Sequence, residues 1–295
     1  QFAKTLLLGQ ALAFCITATN VTSTALASNH GVSIPTTQSF LNYVLLALVF
    51  NGVGLYRDGL TGWGRKLRAR WWKYALLALV DVEGNYFVVK SFSYTSLLSA
   101  MLLDCWAIPV VVFLSIITLR LRYAWSHYLG LIVCLAGVLL LLFSDIGSGD
   151  GSAPDPIKGD LFCLLGATLY GISNVLEEKL VRQYAITDVI GGLGMFGMVF
   201  NGIQLGALEH EELRNVKWTP PVVGMILGFD LALFLFYSLT PVLFRLAGAT
   251  FFNLSLLTSD IYGLLFGMLI FGEKYNRWYP AAYVGIVAGV VIFNL

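Results

Sequence analysis

The chain has 295 residues, 58% of them hydrophobic and 12% charged, with a net charge of +1. A soluble domain carries about 25% charged residues, so this one has too few to clothe a water-exposed surface, and lipid must cover most of it. The small net charge gives no bulk argument for nucleic acid, and the four cysteines all lie in apolar stretches, where they read as buried free thiols.

A membrane span needs about 20 mostly apolar residues. Ten such segments follow one another: 4–27, 36–56, 72–93, 96–119, 124–143, 158–181, 187–208, 220–241, 247–271 and 278–294. They lack the polar/apolar alternation of barrel strands, so helices are expected. The first run is too long for a cleavable signal, and no small-residue cleavage site stands out. The chain therefore reads as a membrane core trimmed of its tails. The strongest break is SDIGSGDGSAPDPIK, from Ser144 to Lys158, rich in Gly, Ser, Pro and Asp. It divides the chain into 1–143, a loop 144–157, and 158–295, each half holding five spans.

The halves echo one another weakly. Arg122-Tyr123 and Ala136-Gly137-Val138 return as Lys274-Tyr275 and Ala288-Gly289-Val290, all at an offset of 152 residues. An odd number of spans per repeat makes the second copy enter the membrane inverted, an architecture that places a transport site at the midplane between the copies. Twelve of the eighteen Lys and Arg residues fall on one side of the spans and five on the other, Lys90 at a helix end being left out. The positive-inside rule then puts both termini in the cytosol.

The informative residues are acids inside these spans. A carboxylate at the centre of a spanning helix costs about 2.5–3.5 kcal/mol on insertion scales, a cost rarely kept unless the group meets a cavity, a partner or a substrate. The third span carries Asp81, Glu83, Asn85, Phe87 and Lys90. Asp81 and Asn85 share one helix face, and Glu83, Phe87 and Lys90 share another. One face is read as a pathway lining; the plainer alternative is an internal ion pair involving Lys90. The fourth span has Asp104 and Trp106 shortly before Pro109, which kinks a helix or frees a carbonyl. Asn20 in the first span and Asn174 in the sixth are polar at comparable depths, where interhelical hydrogen bonding is the plain reading. Glu177 and Glu178 near the end of the sixth span read as a surface ion pair or a gate. Asp260 and Tyr262 mark the centre of the ninth span, and Asp230 lies equally deep in the eighth.

Glycines at Gly263 and Gly267, and at Gly285 and Gly289, permit close helix approach. The last span thus offers a seam for a homodimer, although packing inside the bundle is the commoner use. Gly191, Gly192, Gly194 and Gly197 make the seventh span pliable or tightly packed. No phosphate-binding loop, zinc spacing, nucleophile elbow or dinucleotide fingerprint occurs, so neither an enzyme, a metal site nor a cofactor is expected. The deep ionisable groups are almost all acids. Phosphate-bearing substrates favour Arg or Lys in the pocket; this centre suits a cation or a neutral flat ring, with Trp106, Phe87, Tyr170 and Tyr262 placed for stacking or cation–π contact.

Several strings are more specific. Trp71-Trp72-Lys73-Tyr74, Asp81-Val82-Glu83 with Asn85-Tyr86, Leu103-Asp104-Cys105 with Ile108-Pro109, Ile172-Ser173-Asn174-Val175 with Glu177-Glu178, and Leu257-Thr258 with Asp260 and Tyr262 resemble the F branch of solute carrier family 35. The layout resembles the drug/metabolite transporter superfamily, which implies an all-α fold of ten transmembrane helices in two inverted five-helix repeats. Asp230 departs from the small or apolar residue expected there. The resemblance implies a secondary carrier working by alternating access, importing the modified nucleobase queuine or its nucleoside queuosine. It carries substrate-binding roles to Glu83 and Asp104, with Asp260 in support and Asn85 and Asn174 as hydrogen-bonding groups. Asn20, Trp106, Phe87, Tyr170 and Tyr262 complete the expected pocket, with coupling or gating assigned to Asp81, Glu177, Glu178 and Lys90. A multi-pass protein of the plasma membrane rather than the Golgi is expected, with the bilayer and a small-molecule substrate as its partners. The competing readings are a Golgi nucleotide-sugar antiporter and a non-transporting membrane receptor or scaffold.

Overall fold

A computed structural model describes residues 2–95, 97–119, 125–126, 128–130, 132–133, 136–137, 139–140, 155–271 and 279–293. The described elements are helical: α1 (Phe2–His30), α2 (Pro35–Ser91), α3 (Leu97–Asp104), α4 (Ala107–Leu119), α5 (Pro156–Gln183), α6 (Ile186–Leu208), α7 (His210–Asn215), α8 (Pro220–Phe271) and α9 (Tyr279–Phe293). No strand occurs among the described residues. Segments 4–30, 35–91, 156–183, 186–208 and 220–246 are long and apolar enough to cross a membrane. The expected fifth span, 124–143, lies largely outside the described residues.

Two expected loops are helical instead. The basic stretch between the second and third spans continues the helix, broken only at Gly59, with φ 68° and ψ 169°, a conformation open to glycine and strained for other residues. The chain reverses there. The Trp63 indole N–H donates to Asn51 Oδ1 at 3.1 Å, although an unbroken helix would hold residues twelve apart about 18 Å away along its axis. Thus α2 is a hairpin of two limbs that match the second and third spans. Similarly, the rings of Phe236 and Phe252 are 6.1 Å apart within α8, where a straight helix would separate them by about 24 Å. The Phe244 and Phe252 rings, at 4.9 Å, confine that reversal to the residues between them. The fourth span is also broken: α3 stops at Asp104 and α4 begins at Ala107, with Pro109 in its first turn. Proline has no N–H to give and its ring crowds the carbonyl four residues back, here that of Cys105.

Large apolar side chains face outward all along these helices, among them Leu7, Phe14, Leu48, Ile203, Leu231 and Leu269. In water that surface would aggregate; in a bilayer it is the solvated one. The interior core gathers Tyr43, Leu46, Tyr74, Leu77, Val189, Ile190, Leu193, Phe229 and Phe244 from α2, α6 and α8.

Glycines bring α6 against both limbs of α2. A Cβ at Gly191 would stand 2.7 Å from Asn51 Oδ1, one at Gly194 would meet the backbone N of Ala47, and one at Gly197 would enter the Tyr43 ring. The Asn51 amide donates to the Gly191 carbonyl at 2.8 Å, so a single side chain ties the α2 reversal to α6. At the far end of α6, Glu209 accepts from the backbone N–H of Thr36 and of Thr37, at 2.6 and 2.9 Å, and from the Thr37 hydroxyl at 2.9 Å. It thereby caps the α2 N-terminus with a negative group where the helix dipole favours one. Gly285 of α9 faces Gly137, so this part of the last helix packs inside the bundle.

Replacing Gly194 with Ala forces α2 and α6 apart. The expected cost is about 1–3 kcal/mol, the range for overpacking a tight core, read as a lower melting temperature of the purified protein. A Gly206→Ala control, where a Cβ would meet nothing within 4 Å, should melt with the wild type.

Candidate functional site

The two carboxylates of the third span fold into different surroundings. Asp81 is buried at 4% exposure. Its Oδ2 accepts from the phenols of Tyr43 at 2.8 Å and Tyr237 at 2.6 Å, and its Oδ1 accepts from the Ser173 hydroxyl at 3.0 Å. Asn85, one turn on, places Nδ2 at 2.8 Å from both phenolic oxygens, and its Oδ1 accepts from Tyr170 at 2.9 Å. The pattern closes on itself. Each phenol gives its proton to Asp81 and takes one from Asn85, whose amide has two N–H groups to offer. Residues from both limbs of α2, from α5 and from α8 are locked into one cluster.

Glu83 faces the other way. Its Oε1 accepts from the Gln204 amide of α6 at 2.6 Å, so its partner is that amide rather than Lys90.

Beside the Asp81 cluster lies a cavity of about 100 Å³. Its walls are Ile16 and Asn20 of α1, Asp81, Asp104, Cys105, Ala107 and Ile108 at the α3–α4 break, Tyr170, Asn174 and Glu177 of α5, and residues of both limbs of α8, including Phe236, Tyr237, Thr240 and Phe252. Tyr170, Asn174 and Glu177 recur at the 4- and 3-residue spacings that align side chains on one helix face. Three oxygens here are buried without a hydrogen-bond partner among the described residues: Asp104 Oδ1, Glu177 Oε1 and Thr240 Oγ1. Leaving such a group unpaired costs about 1–3 kcal/mol, more if it is charged. No Lys or Arg is among the lining residues.

The structure therefore brings Asn20, Asp81, Asp104, Tyr170, Asn174 and Glu177 to one cavity and leaves other expected residues elsewhere. Asn85 stands behind the wall, within the Asp81 cluster. The Trp106 indole N–H donates to Thr168 at 3.0 Å. Phe87 packs on Tyr86 and Phe162, at 5.4 and 5.8 Å between ring centroids. Tyr262 donates to Gln10 at 3.0 Å. Glu178 pairs with Arg182 at 2.7 Å, and Lys90 is half-buried near the end of α2. The side chain of Asp260 lies outside the described residues. Residues that sequence reasoning missed are Tyr43, Tyr237 and Thr240. Each is a single hydroxyl inside an apolar span, and its local sequence does not show which carboxylate or cavity it meets.

A many-helix bundle with an apolar exterior and a central cavity that holds buried acids among apolar and aromatic walls defines the class as a multi-pass membrane protein of carrier type. The SLC35F model of Solute carrier family 35 matches residues 1–295. A solute carrier family 35 member from Schizosaccharomyces pombe is 43% identical over 290 residues, covering 98% of this chain and 57% of that protein. Solute carrier family 35 member F2 of Mus musculus is 39% identical, covering 98% of this chain and 78% of that protein, and its Xenopus tropicalis counterpart is 37% identical, covering 97% and 75%. One solved crystal structure shares the fold, with a TM-score of 0.63 at 19% identity over 99% of this chain and 98% of its own. The chain belongs to solute carrier family 35, in its F branch, a transporter family with the drug/metabolite transporter fold. It spans little more than half the length of the Schizosaccharomyces relative.

If the Asp81 cluster acts as a unit, removing one member should lessen the effect of removing another. Asp81→Asn and Tyr237→Phe should each lower the melting temperature. The double variant should lose less than the two single losses combined, with a coupling of about 0.5–3 kcal/mol. Strict additivity would show that the contacts act separately.

Proposed function

We propose that this chain is a secondary-active importer of a cationic heteroaromatic metabolite, with queuine or queuosine as the substrate that fits best. The observation carrying this reading is the cavity's pair of unpartnered carboxylate oxygens, on Asp104 and Glu177, between aromatic walls and without a lining Lys or Arg. Queuine has a flat deazaguanine base and a protonated amine. In this reading the amine sits between Asp104 and Glu177, while Asn20, Asn174 and Thr240 bond to the ring edge and hydroxyls. The base lies against Tyr170, Phe236 or Phe252. Asp81 and Asn85 hold the wall rather than the substrate, because their bonding capacity is already engaged within the protein. A nucleotide sugar suits this cavity less well, since its pyrophosphate would face acids and no cation.

Alternating access would rock the five-helix halves 1–143 and 158–295 about this cavity. The broken α3–α4 helix and the α8 reversal provide points of bending. Import calls for the plasma membrane, with both termini in the cytosol.

Uptake of labelled queuine into proteoliposomes tests the reading. The wild type should show saturable uptake. Asp104→Asn and Glu177→Gln should each weaken apparent affinity about tenfold to a hundredfold, the worth of one charge-assisted hydrogen bond. Glu83→Gln should change it far less, and UDP-sugars should not compete. Exchange of UDP-sugars without queuine uptake would assign the chain to the nucleotide-sugar antiporters instead. Ligand binding without any uptake would make it a receptor.

A further inference from the structure

The second limb of α2 begins beyond Gly59 with a dense run of cations, and the structure sorts them onto two faces. Lys66, Arg70 and Lys73 turn inward at helical spacing. Lys66 reaches Asp58 at 2.7 Å and Asp188 at 3.3 Å, and Arg70 reaches Asp188 at 3.5 Å and lies 4.0 Å over the Tyr184 ring. Lys73 donates to the Tyr184 hydroxyl at 2.9 Å, and that hydrogen bond, helped by the Lys73 and Arg70 charges, holds the phenol below its usual pKa. Both nearby acids, Asp58 and Asp188, are taken up by this inner face.

Arg65 and Arg68 lie on the opposite face, exposed and with no acid paired to them among the described residues. They do not stand alone. Residues 65, 68, 72, 76 and 79 form one stripe at three- and four-residue steps, and its apolar members are exposed: Trp72 at 53%, Leu76 at 45% and Leu79 at 44%. Along the axis the stripe changes from guanidinium to indole to branched aliphatic over about 21 Å, close to the depth of one bilayer leaflet, about 20 Å with its headgroups. Tryptophan is the residue that favours the headgroup boundary, and guanidinium forks match phosphate oxygens. Cations beside a membrane span attract anionic lipid, at a strength worth about fivefold in affinity per residue.

We propose that this stripe is a binding site for one anionic phospholipid, with its headgroup on Arg65 and Arg68 and an acyl chain along Trp72, Leu76 and Leu79. The site requires only that the bundle lie in a bilayer, and is independent of what the cavity carries. Through Lys66 and Arg70, the bound lipid would sit behind the contact that joins α2 to the start of α6.

The test uses the purified whole chain in detergent, with dioleoyl phosphatidylserine or dioleoyl phosphatidylcholine added at equal concentration and bound lipid counted by native mass spectrometry. The wild type should prefer phosphatidylserine by about fivefold or more. Arg65→Gln with Arg68→Gln should bring the ratio near one, while Arg214→Gln on α7, at the opposite end of α6, should leave it unchanged. A misfolded variant would lose both lipids together, so a selective loss of phosphatidylserine reports charge reading. A preference that survives in the double variant overturns the proposal. So does full displacement of the lipid by millimolar inorganic phosphate, which would mean that the arginines hold a free anion only.

Discussion

A buried carboxylate in a lipid-embedded bundle must be supplied with hydrogen bonds by the protein, because hydrocarbon supplies none. Asp81 meets that constraint with donors from three different parts of the chain, at Tyr43, Ser173 and Tyr237. These residues can reach one carboxylate only if both limbs of α2, α5 and the first limb of α8 pack at fixed depth and rotation. The cluster thus sets the register of the bundle centre, and Asn85 and Tyr170 complete it.

That assignment gives the adjoining cavity its chemistry. The three acids at this centre differ in what remains to them: Asp81 has given its lone pairs to the fold, whereas Asp104 and Glu177 each retain an oxygen without a partner among the described residues. Binding capacity in a membrane interior is the part of the polar inventory that the fold has not used. By that measure the cavity offers unpartnered carboxyl oxygens and aromatic surface, and on the proposed reading these meet a flat cation.

Around this centre, close packing and terminal charge hold α2 and α6 together. Gly191, Gly194 and Gly197 remove side-chain bulk where the helices touch. Glu209 caps α2 at one end, and Lys66 and Arg70 engage Asp188 at the other. The breaks in helical geometry lie elsewhere, at Cys105–Trp106 and the reversal of α8.

Much of this was legible in the amino-acid order, and the remainder was not for definite reasons. Apolar run length placed most of the described helices, because a bilayer imposes a length that composition reveals, and the fourth-span break falls just ahead of Pro109, as its chemistry requires. The basic stretch between the second and third spans was expected outside the helices; it is helical because residues 65–70 are good helix formers that carry the helix past Gly62 and Gly64, and the reversal is confined to Gly59. Glu83 was placed ahead of Asp81 for substrate binding, but two acids only two residues apart carry no local sign of their partners, which are Gln204 in one case and Tyr43 and Tyr237 in the other. Glu177 looked like a surface acid because Glu178 and Lys179 follow it, yet a rotation of about 100° per residue sends Glu177 to the cavity and Glu178 to Arg182. Sequence by itself determined that this chain lies in lipid, where its helices run, and that acids occupy its centre, since hydropathy and charge are local properties. Only the tertiary structure decided which acids are spent on the fold and which are left to a ligand, because hydrogen-bond partners are brought together from distant parts of the chain.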